Sequence, residues 1–595
     1  MPWPMSVALI LRIPLFLPRG LHVSSLYIVR IASRIQRYIS MDKTEQIYVK
    51  DGDTATGIVF DAPPTSMWRR LLQKIELKSE VENGRRSNPD LDPVPPEGRH
   101  WHARHYALFW ISDNVSVSGF RTASSIMDVG LSWRMSLLCV ALANLLAGII
   151  ITLNGIVGAD YHIPFSIQSR ASYGYYLSYL MILMRCIVGI FWYGIQTYTG
   201  AECVQSMLYA IWPSFRNVPN TLPQSANINT QLMTSYVLYF LTILPFHYVG
   251  IHKVKWLFMV KTVATFIVGF GLMGWMINTV GVSNSSLFSQ GNTVHGSRFR
   301  WVFMNSFYSN LGGFTTLMVN APDYSRYAHR RRSTYTTLFA VPFTATLVTF
   351  MGVVVASGSK VMYGEILWDP LQVVDKWTSK GGRAAAFFCA LSFYFSQLGL
   401  NIAANSLASA NDMNAIWPKY INLRRGQFIA AFLGAWALTP WNIMTSAPAF
   451  LNFMSGYSIW LGPLCGVLVA DYFIVHRQKY DVNELYKFGG IYNYRWGFNW
   501  RAFAAFTIAW VPLLPGFIPT VSSGITASSG LTHLYDVGFF YGFGSSILSY
   551  SVICYFFPAK ETYVETAVYP DDITKGRDIE DISSEEVYSD KIQTE

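Results

Sequence analysis

Long apolar runs separated by short polar loops dominate the chain between residues 106 and 557. A membrane-spanning helix needs about 20 apolar residues to cross a hydrocarbon core of about 30 Å. On that criterion the pattern predicts twelve transmembrane helices, at 106–132, 135–158, 173–211, 232–250, 254–278, 300–321, 335–357, 383–411, 427–447, 450–475, 502–521 and 535–557. The third is longer than one crossing requires, so it tilts or protrudes. The fold class this implies is an all-α, multi-pass membrane protein.

The flanks read differently. Residues 1–41 contain Arg12, Arg19, Arg30, Arg34 and Arg37 with no lysine and no acid. That composition fits an organelle-targeting peptide, but Met41 opens the hydrophilic stretch "MDKTEQIYVK". An over-extended reading frame is therefore the preferred explanation. Residues 42–105 are polar and Pro-rich, which makes 1–105 an N-terminal cytoplasmic region. From Lys560 onward eleven acids face four Lys and Arg, so 558–595 reads as a disordered acidic cytoplasmic tail. Either tail offers a docking place for ubiquitin-dependent trafficking machinery; plain solvation is the simpler reading.

Composition agrees. Only 13% of residues are charged, against about 25% in soluble domains. The net charge of +10 does not signal nucleic acid, because the basic residues lie in loops and the N-terminal region and form no stripe with interleaved aromatics. They set topology instead. Arg326, Arg330, Arg331 and Arg332 follow the sixth span, Lys419, Arg424 and Arg425 the eighth, and His476, Arg477 and Lys479 the tenth. The positive-inside rule puts these loops, and hence both termini, in the cytoplasm. Arg298 and Arg300 fit less well, since they fall outside, beside the glycosylation pattern Asn284-Ser285-Ser286. Six cysteines, at 139, 186, 203, 389, 465 and 554, make no CxxC pair, so neither a disulfide framework nor a zinc site is expected.

Polar side chains inside a span cost about 2–3 kcal/mol each on insertion scales and normally face a cavity or each other. In the first span "WISDNVSVSGF" groups Ser112, Asp113, Asn114, Ser116 and Gly119, which suits a discontinuous helix with freed backbone groups. The sixth span has "SNLGGFTTL", with Gly312 and Gly313. Two broken helices five apart mark a five-plus-five inverted repeat with a midplane site; the other reading of the glycines is close helix packing. In the third span Arg185, Trp192 and Gln196 share one face. Gln196 offers an acceptor and two donors to an amide or ureide edge, and Trp192 a flat wall. An interhelical glutamine bond competes with this reading. Arg185 is expected to pair with a carbonyl or with an acid such as Asp113. Asn401 and Asn405 lie one turn apart in the eighth span, so both are placed on one cavity. Lys261 in the fifth span either carries a proton, because desolvation disfavours its charge, or snorkels to the interface.

These residues also carry a family likeness. "FWYGIQ" (191–196), "VNAPDYSRYAHRRR" (319–332), "NIAANSLASANDM" (401–413), "YNYRWGFNWRAFAAFTIAWVPLLPGF" (492–517) and "NPDLDPVPPEGRHWHARHYALFWISDN" (88–114) resemble the nucleobase–cation symport-1 family, in its fungal branch of uracil, allantoin, uridine and thiamine permeases. The resemblance spans about 88–557. It implies the leucine-transporter-type fold of ten core helices in two inverted repeats plus two peripheral ones, with alternating access. Carried over, Trp192 stacks on a planar heterocycle, Gln196 and Asn405 bond its edges, Phe314 after Gly313 takes the second stacking position, and Ser116 gives a polar contact. The family's sodium-coupled members place hydroxyl residues where this chain has Gly399 and Leu400. The resemblance therefore implies proton rather than sodium coupling, with Lys261 and Asp113 as carriers. Asp90 and Asp92 resemble acids of a cytoplasmic gating segment that pair with inner-loop arginines; a solvated loop is the alternative.

The function expected is import of a planar nitrogen heterocycle across the plasma membrane, with uracil or allantoin foremost and uric acid next. A thiamine or nucleoside permease, or a non-transporting receptor, remains the alternative. No cofactor or metal is expected. The eleven histidines show no HExxH pattern, and His100, His102 and His105 are read as interfacial rather than as ligands, so an enzyme is not expected.

Overall fold

The computed structural model describes residues 87–248, 255–281, 290–522 and 524–570, with residues 76 and 288 singly. The chain divides into units Met1–Lys74 and Ile75–Glu595, and all described residues belong to the second. The expectations for residues 1–41, for the glycosylation pattern at Asn284 and for the tail beyond 570 lie outside the described residues.

The described residues form helices α1 (Ala103–Asn114), α2 (Val117–Asp128), α3 (Trp133–Tyr161), α4 (Tyr175–Ile211), α5 (Thr230–Tyr248), α6 (Lys255–Val280) and α7 (Gly296–Val319). There follow α8 (Arg331–Tyr363), α9 (Lys380–Ile416), α10 (Leu423–Phe432), α11 (Ala447–Val475), α12 (Trp500–Val521) and α13 (Gly538–Phe556). Local chemistry sets their starts. Ser132, Ser379, Asn422, Ser446 and Asn499 each cap a helix by accepting a backbone N–H two or three residues on.

Eight of the described helices are long and apolar enough to cross a membrane. On α3, Leu138, Leu142, Leu145 and Ile149 form an exposed apolar stripe while Cys139, Ala143 and Ala147 are buried. A helix apolar on both faces has lipid as its solvent. Close approaches between helices rely on small residues. A Cβ on Gly194 of α4 would overlap the Gly434 carbonyl oxygen, and one on Gly352 of α8 would overlap that of Phe120.

The first span is broken. α1 and α2, of 12 residues each, are separated by Val115 and an extended Ser116 at φ −150°. Neither half alone reaches across a bilayer, at about 1.5 Å per residue. The sixth span departs from expectation. α7 runs unbroken through Gly312 and Gly313 to Val319. Gly312 serves packing, because a Cβ there would overlap the Met454 carbonyl oxygen on α11. The ninth span is shorter than expected, ending in a wide turn at Ala437.

The flanking segments are more ordered than their polarity implied. Leu91 and Val94 are buried, and the Val94 N–H donates to the His162 carbonyl at 3.0 Å. Beyond α13, the Val568 N–H donates to the Tyr480 carbonyl at 2.9 Å and Tyr569 stacks on Tyr161. Aromatic packing anchors that segment as far as Tyr569, so residues 558–569 are ordered where a disordered tail was expected.

Candidate substrate site

The α1–α2 break, α4, α7, α9 and α11 surround a cavity of about 110 Å³. Of the residues anticipated for a site, Asp113, Ser116, Trp192, Gln196, Gly313, Phe314 and Asn405 line it. Specific bonds hold the break open. The Asn114 amide donates to the Trp110 carbonyl. Ser116 caps α2 by accepting the Gly119 N–H at 3.3 Å. Ser396 of α9 donates to the Val115 carbonyl at 2.9 Å.

Trp192 is fixed by its ring nitrogen, which donates to the Tyr457 hydroxyl at 2.9 Å; that hydroxyl in turn donates to the Gly312 carbonyl at 2.6 Å. One tyrosine thus ties the indole on α4 to the glycine pair on α7. The Trp192 ring also meets Phe450 edge-on, at 6.3 Å and 86°, and Phe450 itself lines the cavity. The Gln196 amide pairs with Ser118, its nitrogen donating at 3.1 Å and its oxygen accepting at 3.3 Å. Ser118 and Phe450 were not anticipated. Ser118 carried a signal, being a third serine within "SDNVSVSG"; Phe450 reads as any apolar residue at a helix start.

The two asparagines part company. Asn405 lines the cavity, whereas Asn401 is turned onto α4, donating to the Tyr193 carbonyl at 3.2 Å and to Thr197 at 3.1 Å. Asn401 is therefore a support: its oxygen accepts the Asn405 amide at 3.1 Å and orients it. Residues 401–406 form a wide π-type turn, which relaxes the one-face rule behind the shared-cavity expectation.

Lys261 does not snorkel. It is 1% exposed and donates to the Ser112 carbonyl, near the end of α1, at 2.6 Å. Its stem crosses α9 at Gly399, where a Cβ would lie 2.8 Å from the lysine Cδ. Asp113 lies within Coulomb reach of this ammonium.

Arg185 pairs not with Asp113 but with Asp412 of α9, both side chains 1% exposed, and donates to the Ala408 carbonyl at 2.6 Å. Asp412 lies one helical turn beyond Ala408 on the α9 face that meets α4, and this is the acid Arg185 reaches.

Asp90 and Asp92 make no ion pair with an arginine side chain among the described residues. Arg326 donates instead to the Asp90 backbone carbonyl at 2.8 Å, and Asp92 accepts from Ser87 at 2.7 Å. The Asp90 carboxylate also accepts the Leu423 N–H at 3.5 Å, and the Asn88 amide donates to the Pro418 carbonyl at 3.2 Å, so the segment is tied to the α9–α10 connection by neutral hydrogen bonds rather than by ion pairs. His102 and His105 close the first turn of α1 as a reciprocal cap.

The family model described as "Permease for cytosine/purines, uracil, thiamine, allantoin" matches residues 93–542, a stretch that contains every wall of this cavity. The chain belongs to this family. The permease is 42% identical to an uncharacterized permease of Schizosaccharomyces pombe, over 86% of this chain and 90% of that one. It is 33% identical to the allantoin permease of Saccharomyces cerevisiae, over 87% and 84%. Among solved structures, the inward-facing conformation of Mhp1 superposes with a TM-score of 0.64 at 20% identity, covering 82% of the permease and 97% of Mhp1. The permease therefore shares the Mhp1 fold and is a membrane transporter, not an enzyme.

Proposed function

We propose that this permease imports a planar nitrogen heterocycle by proton symport, with uracil or allantoin as the leading substrates and uric acid next. The observation that carries this reading is the convergence of Trp192, Gln196, Phe314 and Asn405 on one small cavity. Rings supply faces for stacking, and the two amides supply both donors and acceptors for the edge of a cyclic imide or ureide. A compact cavity favours a single small planar heterocycle over the larger two-part frameworks of a nucleoside or thiamine. The same reading takes the chain as twelve spans in a five-plus-five inverted repeat with two peripheral helices, in the plasma membrane, with both termini cytoplasmic.

Support for the coupling ion comes from Lys261. A fixed ammonium sits against the end of α1, and Gly399 and Leu400 offer no side-chain oxygen to a hard cation. Radiolabelled uracil and allantoin uptake tests both halves. Accumulation is expected to persist when sodium is replaced at constant pH, and to collapse when the proton gradient is dissipated. A sodium requirement would overturn the coupling. Stronger competition by thiamine or nucleosides than by bases and ureides would overturn the substrate class, and binding without accumulation would make the protein a receptor.

A further inference from the structure

Behind Thr122 and Phe450 of the cavity wall lies a buried charge cluster that the substrate reading does not use. Arg121 on α2 is 1% exposed and pairs with Glu202 of α4 at 2.5 Å and with Asp369, in the connector between α8 and α9. It also donates to Thr199 at 2.7 Å. Trp368, next to Asp369, lies under the guanidinium at 5.6 Å and stacks on Phe450 of the cavity wall at 6.2 Å. Thr122, next to Arg121, lines the cavity as well. One guanidinium therefore joins three separate segments behind Trp368, which backs the cavity wall through Phe450.

The charges do not balance. One guanidinium faces two carboxylates, and an uncompensated charge in a low-dielectric site is costly. Asp369 has two partners, the guanidinium and the Leu371 N–H at 3.1 Å, and its side chain is 3% exposed. Among the described residues Glu202 bonds the guanidinium alone, and at 18% exposed it is the more accessible of the two carboxylates. The other titratable groups around it are Asp375 of the same connector and, on its own helix, Tyr198 and Cys203. Burial pushes the Asp375 carboxyl up to about 6.

We propose that Arg121, Asp369 and Glu202 form a latch that closes the outer end of the cavity once Glu202 has taken a proton from the outer solution. This rests on the orientation given above, in which the Ile211 end of α4 faces outward. The proton adds to a Glu202 carboxylate oxygen, and the closed cluster is then neutral overall.

The test places a reporter cysteine on the cavity wall, Thr122→Cys, in the full-length chain in sealed right-side-out and inside-out vesicles. Labelling by a membrane-impermeant maleimide is followed against pH, with no proton gradient. Maleimide chemistry has its own pH slope, so slopes are compared between variants. The parent is expected to show an extra slope of up to about tenfold per pH unit, the limit for one proton. Glu202→Gln and Asp369→Asn each leave a balanced pair and should lose that extra slope while retaining substrate counterflow. Asp375 is intact in both, so its titration cannot account for the loss. Equal slopes in parent and variants would overturn the latch alone. Loss of counterflow in both variants would make the cluster structural and overturn it too. A reporter reached only from the inner face would overturn the orientation, and the proposal with it.

Discussion

Uptake is lost in Gln196→Ala while surface expression stays at the level of the unmodified permease. Gln196 lies at the cavity wall with its amide clear of the backbone, and its side-chain partner among the described residues is Ser118. Alanine there breaks no helix and leaves Ser118 able to bond water. Under the proposed function, what it removes is the edge contact to substrate. Two hydrogen bonds lost, with polar substrate atoms left unpaired, cost about 3–4 kcal/mol, or a drop of roughly 10²–10³ in affinity. Labelled uptake and surface biotinylation, measured together, check this. Full activity would remove Gln196 from the site.

The second large effect is on folding. Asp412→Ala leaves the Arg185 guanidinium buried without its carboxylate, which costs about 3–5 kcal/mol. Little folded protein should reach the membrane, and the detergent-solubilised fraction should melt at lower temperature. The double variant Arg185→Met/Asp412→Leu should regain much of that stability, because a buried ion pair replaced by apolar groups of similar size is often neutral. Thermal melting by size-exclusion chromatography separates the cases. Equal loss in the single and double variants would show that the pair does more than compensate charge.

Much of the site was legible because a polar group in an apolar run has few explanations. Trp192 and Gln196 stood out by a four-residue spacing on one helix, and the first-span break by its serines, Asp113 and Asn114. What stayed hidden depended on partners far along the chain. Arg185 had several acids to choose from, and nothing local selects Asp412. Gly312 and Gly313 permit either a break or a close approach, and only the Met454 backbone decides between them. Asn401 and Asn405 differ because the helix widens between them, a change in winding that side-chain periodicity does not announce.

The lysine lying across Gly399 makes two positions into a single evolutionary choice. With the ammonium held on the Ser112 carbonyl, any side chain at 399 must push the stem aside. An oxygen-bearing residue there would compete with a long cation at 261 for the same space. Residues 261 and 399 are therefore expected to change together. Changing 399 first passes through a crowded intermediate, and changing 261 first passes through one that holds no charge at this place.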